Sequence, residues 1–166
     1  MRLLIVRHAI AEEYEESARR SGGDGARPLT AEGADKMRRG ALGLLELQPE
    51  LDCIATSPLV RARQTADILA EAYPGVGVEV AEPLAPGHAP AEPLEWLRER
   101  RAAAVAAVGH EPGLSQLASF LLGGGERSFL ELKKGAACLI DLPRLAGGAG
   151  TLLWLAPPRM LRRLAE

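Results

Sequence analysis

The feature that most constrains this chain is a repeated unit in which a short apolar run halts at a polar or glycine residue and a helix-period stretch follows. The first run, residues 2–6, is rich in branched side chains and nearly continuous, the pattern of a strand covered on both faces. Thr30 can cap a helix whose Ala34, Met37, Ala41 and Leu44 recur at helical spacing, with Pro49 closing it. Residues 51–55 form the second strand, Ser57 reads as an N-cap and Pro58 as the first position of a helix running to about Tyr73. On that helix Leu59, Ala62, Ala66, Leu69 and Tyr73 make one stripe, which turns Arg61 and Gln64 elsewhere. A third strand is predicted at 76–80, a loop at 83–93, a helix at 94–101 and a fourth strand at 103–108. The sequence Gly109-His110-Glu111-Pro112-Gly113 leads into a helix bearing Leu114, Leu117, Ala118 and Leu121, and strands at 136–141 and 151–155 follow. This alternation predicts an α/β fold: a three-layer α/β/α sandwich with a mostly parallel central sheet and an antiparallel strand near the C-terminus, in a single domain spanning residues 1–166.

Charge and composition narrow the function classes. With 20 basic and 22 acidic residues the net charge is -2, so no global basic field marks a nucleic-acid binder. No uninterrupted apolar stretch is long enough for a membrane span, and the start MRLLIVRHA lacks the apolar region and cleavage site of a signal peptide. The expectation is a cytoplasmic protein, monomeric, with no membrane or nucleic-acid partner. Cys53 and Cys138 lie in apolar runs and read as buried thiols rather than redox or ligand groups.

The chemistry gathers where strands end. His8, Ser57 and His110 each follow a predicted strand, and in such sheets ligands bind outside the carboxyl ends. Arg7 and Arg61 join them, and guanidinium forks that stay charged suit the oxygens of a phosphoryl group. A histidine nucleophile must be unprotonated, and neighbouring cations lower its pKa, so the same arginines favour neutral His8. The helix beginning near Ser57 adds backbone donors and a positive dipole end on this edge. Residues 11–27, polar and containing Gly22-Gly23-Asp24-Gly25, read as a surface excursion that could cover the site, and Arg27 either pins it through a salt bridge or touches phosphate.

Four segments, in order, carry a resemblance: Arg7-His8-Ala9, Arg27-Pro28-Leu29-Thr30, Ser57-Pro58-Leu59-Val60-Arg61-Ala62-Arg63-Gln64-Thr65-Ala66 and Val108-Gly109-His110-Glu111-Pro112. Together they resemble the histidine phosphatase (phosphoglycerate mutase-like) superfamily, most closely its SixA-type phosphohistidine phosphatases, over residues 1 to about 135 and including Lys133-Lys134-Gly135. The resemblance implies that His8 becomes phosphorylated, that Arg7, Arg61 and His110 form the phosphate pocket, and that neither metal nor cofactor is needed. Ala9 stands where most of the superfamily has glycine, a change that SixA-like members tolerate. Relatives that cleave phosphate esters are expected to carry a general-acid carboxylate after the third strand; here Glu82 and His88 are the candidates, without a convincing motif around either.

That difference separates the substrates. An alkoxide has a conjugate-acid pKa of roughly 15 to 16, comparable to bulk water, whereas imidazole protonates near about 6.5, so phosphohistidine needs far less acid catalysis. The expected substrate is therefore a phosphorylated protein carrying phosphohistidine; a small phosphate ester, or binding of a phosphorylated partner without cleavage, are the alternatives. Ser57 reads as a cap rather than a nucleophile, no GxSxG surrounding it, and Arg63 as outward-facing. Gly123-Gly124-Gly125 reads as a loop after a helix, since the lysine and hydroxyl of a P-loop are missing.

Overall fold

A computed structural model describes residues 1–19, 23–125 and 127–166. Gly22, part of the glycine-rich segment noted above, lies outside the described residues. Six strands form one sheet: β1 (Arg2–Arg7), β2 (Cys53–Thr56), β3 (Gly77–Val80), β4 (Ala104–Gly109), β5 (Ala137–Asp141) and β6 (Thr151–Ala156). Their order is β3-β2-β4-β1-β5-β6. The pairs β2/β3, β2/β4 and β1/β4 are parallel, while β5 runs antiparallel to both β1 and β6. The predicted α/β architecture, mostly parallel with an antiparallel strand late in the chain, is what forms.

Helices α2 (Ala31–Leu47) and α3 (Val60–Ala72) cover one face of the sheet. Helices α4 (Glu92–Arg98) and α5 (Gly113–Gly123) cover the other. Strand β1 explains why its sequence lacks alternation: Leu4 and Val6 enter the first core, Leu3 and Ile5 the second, and all four are fully buried. Each such side chain contributes about 1.5–3 kcal/mol on burial. Thr30 caps α2 as expected, its hydroxyl accepting from the Gly33 N–H at 2.9 Å.

Several boundaries differ from the sequence reading. Helix α3 starts at Val60 rather than Pro58, with Leu59 as an extended N-cap and no capping side chain. The Ser57 hydroxyl is engaged with His110 instead, and the proline ring holds Ser57 out of the helical region. Strand β2 is displaced toward Thr56, because its ladder continues to Val108 in β4 and Val80 in β3. The segment predicted as loop at 83–93 begins with a 3-10 turn, Glu82–Leu84, and α4 starts early, with Pro93 in its first turn. The excursion at 11–27 contains α1 (Tyr14–Arg19) and a 3-10 turn, Asp24–Ala26. Its neck is closed by an antiparallel bridge between Ala11 and Leu29.

Besides α1, one further helix was not anticipated: α6 (Pro158–Leu164), which begins on Pro157-Pro158 and packs against α2. Gly43 makes that packing possible, since a Cβ there would fall on the Leu161 carbonyl oxygen. Leu161 is fully buried beside it. No helix of the described residues is long and apolar enough to cross a membrane.

Candidate active site

Because β1, β4 and β2 are adjacent and parallel, their carboxyl ends deliver His8, His110 and Ser57 to one edge. The His8 and His110 rings lie 5.0 Å apart, tilted by 52°. Both are buried, at 5% and 4% exposure, as is Arg61 at 4%. Two imidazoles buried beside a guanidinium are costly unless the imidazoles stay neutral.

Hydrogen bonds define which nitrogen of His8 is available. Nδ1 lies 2.7 Å from the Ala9 carbonyl, which can only accept, so Nδ1 carries the proton. Nε2 is left with its lone pair, and the Arg61 Nε–H donates to it at 3.3 Å. Burial pushes the His8 pKa down, the Ala9 carbonyl pulls it partly back, and the charges of Arg61, Arg7 and Lys134 push it further, to about 4. His110 is driven to about 3, chiefly by burial and then by His8 and Arg61. Its Nε2 lies 2.8 Å from the Ser57 hydroxyl, which itself accepts from the Leu59 N–H at 3.3 Å. Ser57 thus supports His110 and does not cap α3.

Arg7 donates from Nη1 to the Leu132 carbonyl at 2.7 Å. Among the described residues, Arg7 Nε and His110 Nδ1 are buried polar atoms without a hydrogen-bond partner. Such unspent capacity is rare in a folded interior and suits an incoming anion. Helix α3 starts on this edge with no capping side chain and no acid in its first turn, so its dipole is uncompensated there.

Three residues of the site escaped the sequence reading. Asp24, on the 3-10 turn of the excursion, takes both Nη groups of Arg61: its carbonyl accepts at 2.7 Å and its carboxylate at 2.9 Å. Arg27 pairs with the same carboxylate at 3.0 Å and donates to the Glu12 carbonyl at 3.2 Å, so it pins the excursion over the site. Partial burial raises the Asp24 pKa, but the Arg61 hydrogen bond and the charges of Arg61 and Arg27 outweigh it and hold the carboxyl below its ordinary range. Thr65 accepts from the Ala9 N–H at 3.1 Å and donates to the Arg61 carbonyl at 2.7 Å, locking the turn after β1 to α3. Glu111 accepts from Ser115 and from the Leu132 N–H at 3.0 Å, steadying the segment that holds Arg7. Asp24 had a local signal in its glycine-rich stretch, while Thr65 and Glu111 stood inside segments that carried the resemblance without a role of their own.

The candidate acids stand apart. Glu82 is exposed on its 3-10 turn, and no hydrogen bond or ion pair among the described residues joins it to either imidazole. His88 is engaged with Glu92, its Nδ1 2.7 Å from the carboxylate, as part of the local structure opening α4. Arg63 is exposed, as expected.

This fold and this pairing of imidazoles with guanidiniums define a phosphatase that works at the carboxyl edge of a parallel sheet. The description "Histidine phosphatase superfamily (branch 1)" matches residues 3–86, and the chain belongs to that family. A curated relative, an uncharacterized protein of Picosynechococcus sp., is 39% identical over 137 residues, covering 81% of each chain. The solved structure of the protein histidine phosphatase SixA complexed with tungstate is similar at a TM-score of 0.80 and 26% identity, covering 96% of this chain and 98% of that one. The alpha-ribazole phosphatase from Shigella flexneri shares the fold at a TM-score of 0.71 and 19% identity, over 95% and 97% of the two chains.

Proposed function

We propose that this phosphatase removes phosphate from phosphohistidine on a protein, through a transient phosphoryl group on Nε2 of His8. The observation that carries this reading is the hydrogen bonding of His8: Nδ1–H is spent on the Ala9 carbonyl, and Nε2 holds a lone pair beside the buried guanidinium of Arg61. In the first step Nε2 attacks phosphorus in line, the P–N bond of the substrate breaks, and its imidazole leaves with a proton from solvent. In the second step water attacks phosphorus, the bond to His8 breaks, and inorganic phosphate departs. Arg7, Arg61 and His110 hold the equatorial oxygens throughout and offset the charge that spreads over them.

Two features favour phosphohistidine over a phosphate ester. Neither Glu82 nor His88 is hydrogen-bonded to the imidazoles, and Asp24, which does reach the pocket, is held ionised by Arg61 and so is a poor proton donor. The likeness to the protein histidine phosphatase SixA points the same way. The test is a substrate panel with EDTA present: a phosphohistidine protein prepared with phosphoramidate should turn over at least about 100-fold faster, in kcat/KM, than small phosphate esters. Faster ester turnover that depends on Glu82 would replace this reading with the ester phosphatase. Retained activity in His8→Ala would remove the nucleophile.

A further inference from the structure

Beside the nucleophile lies a second concavity that the chemistry above does not use. It is a cleft of about 170 Å³ between α2, the residues before β5, and α6. Its floor is apolar, from Ile10, Met37 and Pro158, and three cations line it: Lys36, Lys134 and Arg162. No aspartate or glutamate lines it, although the chain has 22 acidic residues against 20 basic ones. Like charges held together by folding repel, and an anion bound among them would relieve that repulsion.

The protein itself offsets little. Lys36 reaches Glu32 one turn back, an exposed i,i+4 pair that solvent screens. Among the described residues, Lys134 and Arg162 have no carboxylate within ion-pair distance. The three side chains come from separate elements, and backbone contacts fix the walls. A Cβ on Gly33 would fall on the Ile10 carbonyl oxygen, and the Gly135 N–H bonds the Arg7 and His8 carbonyls at 3.2 and 3.1 Å. The cleft is also continuous with the candidate active site: Ala9, next to the nucleophile, lines it, and the charge of Lys134 acts on His8.

We propose that this cleft binds acidic side chains of the phosphorylated protein substrate, close to its phosphohistidine. The inference rests on the phosphohistidine reading and adds a specificity to it. The apolar floor suits the methylenes of glutamate and their apolar neighbours, whereas a free phosphate would gain nothing from it. The absence of any aromatic side chain in the lining leaves no platform for bases of a nucleic acid. Rim charges of this kind act mainly on encounter and on KM, with strong salt dependence.

The test uses two histidine peptides phosphorylated with phosphoramidate, alike except that glutamates flank the histidine in one and glutamines in the other. Wild type should show a KM about five- to tenfold lower for the glutamate peptide at low salt, with equal kcat, and the preference should shrink at 0.5 M salt, where the Debye length falls to about 4 Å. Lys36→Glu/Arg162→Glu should erase or invert the preference and leave turnover of the glutamine peptide unaltered; Lys36→Gln/Arg162→Gln serves if charge reversal disturbs folding. No wild-type preference, or a preference kept in the variants, overturns the proposal. If wild type cleaves neither phosphopeptide but does cleave esters, the phosphohistidine reading has failed, and fluorescence anisotropy of a labelled glutamate peptide decides the cleft separately. Equal binding to wild type and variant would then overturn it.

Discussion

The Nε–H of Arg61 points at Nε2 of His8, 3.3 Å away, although 53 residues separate them in the chain. A permanently charged donor thus occupies the lone pair that the proposed chemistry needs. It keeps that nitrogen unprotonated in the resting protein, and it must turn toward the phosphoryl oxygens when substrate arrives. Arg61→Lys retains a positive charge but loses the planar fork that serves His8 and Asp24 together. It should lower kcat/KM by about 100-fold or more, the scale of losing one preorganised donor. A change under threefold in steady-state kinetics would contradict the geometry.

Asp24 competes with substrate for the same guanidinium. Asp24→Asn keeps the side-chain shape and removes the charge, so inorganic phosphate or vanadate should inhibit the variant at lower concentration, by about three- to tenfold, because an anion no longer displaces an ion pair. Inhibition constants at fixed ionic strength measure this, and a weaker inhibition would show that the carboxylate helps to build the pocket instead.

Ser57→Ala leaves His110 Nε2 without its buried partner at 2.8 Å. An unsatisfied buried group costs about 1–3 kcal/mol, so both stability and kcat should fall, and Ser57→Thr should restore part of each. Denaturant titration alongside kinetics separates the two effects.

Acid should act on folding through the same imidazoles. Their folded pKa values, about 4 for His8 and about 3 for His110, lie below the value near about 6.5 expected for the unfolded chain. Between those limits the unfolded state binds more protons, so unfolding free energy falls as pH falls. The neutral pair imposes no penalty above about pH 6.5, and stability is lost progressively below it. Urea midpoints between pH 7 and 5, a window above most carboxylate titrations, should decline in wild type and decline less in His110→Gln. Proposed catalysis follows the same sign: the rate should hold steady from pH 8 down to about 5 and drop toward pH 4, as His8 takes up a proton.

The α2–α6 contact gives a prediction independent of function. Gly43→Ala places a methyl on the Leu161 carbonyl, and overpacking of this kind costs about 1–3 kcal/mol. Thermal melts should show the loss, while Gly40→Ala, whose Cβ would meet only the Leu161 Cβ at 4.0 Å, should be tolerated.

The strand-and-helix alternation, the two cores and the edge bearing His8, His110 and Arg61 were legible in the sequence, because hydrophobic period is a local property and a parallel sheet gathers strand ends wherever they occur along the chain. The departures share a different cause. Helix α6 is seven residues with no capping side chain, too short to declare itself by propensity, and it exists because Gly43 lets its backbone approach α2. Ser57 has every local mark of a cap, yet a buried imidazole 53 positions away claims its hydroxyl. Asp24 meets Arg61 across 37 residues through a turn whose composition says only that it is flexible and polar. Patterning along the chain determined which elements form and which edge is reactive; which nitrogen carries the lone pair, and which carboxylate guards it, depended on contacts between distant residues that packing alone creates.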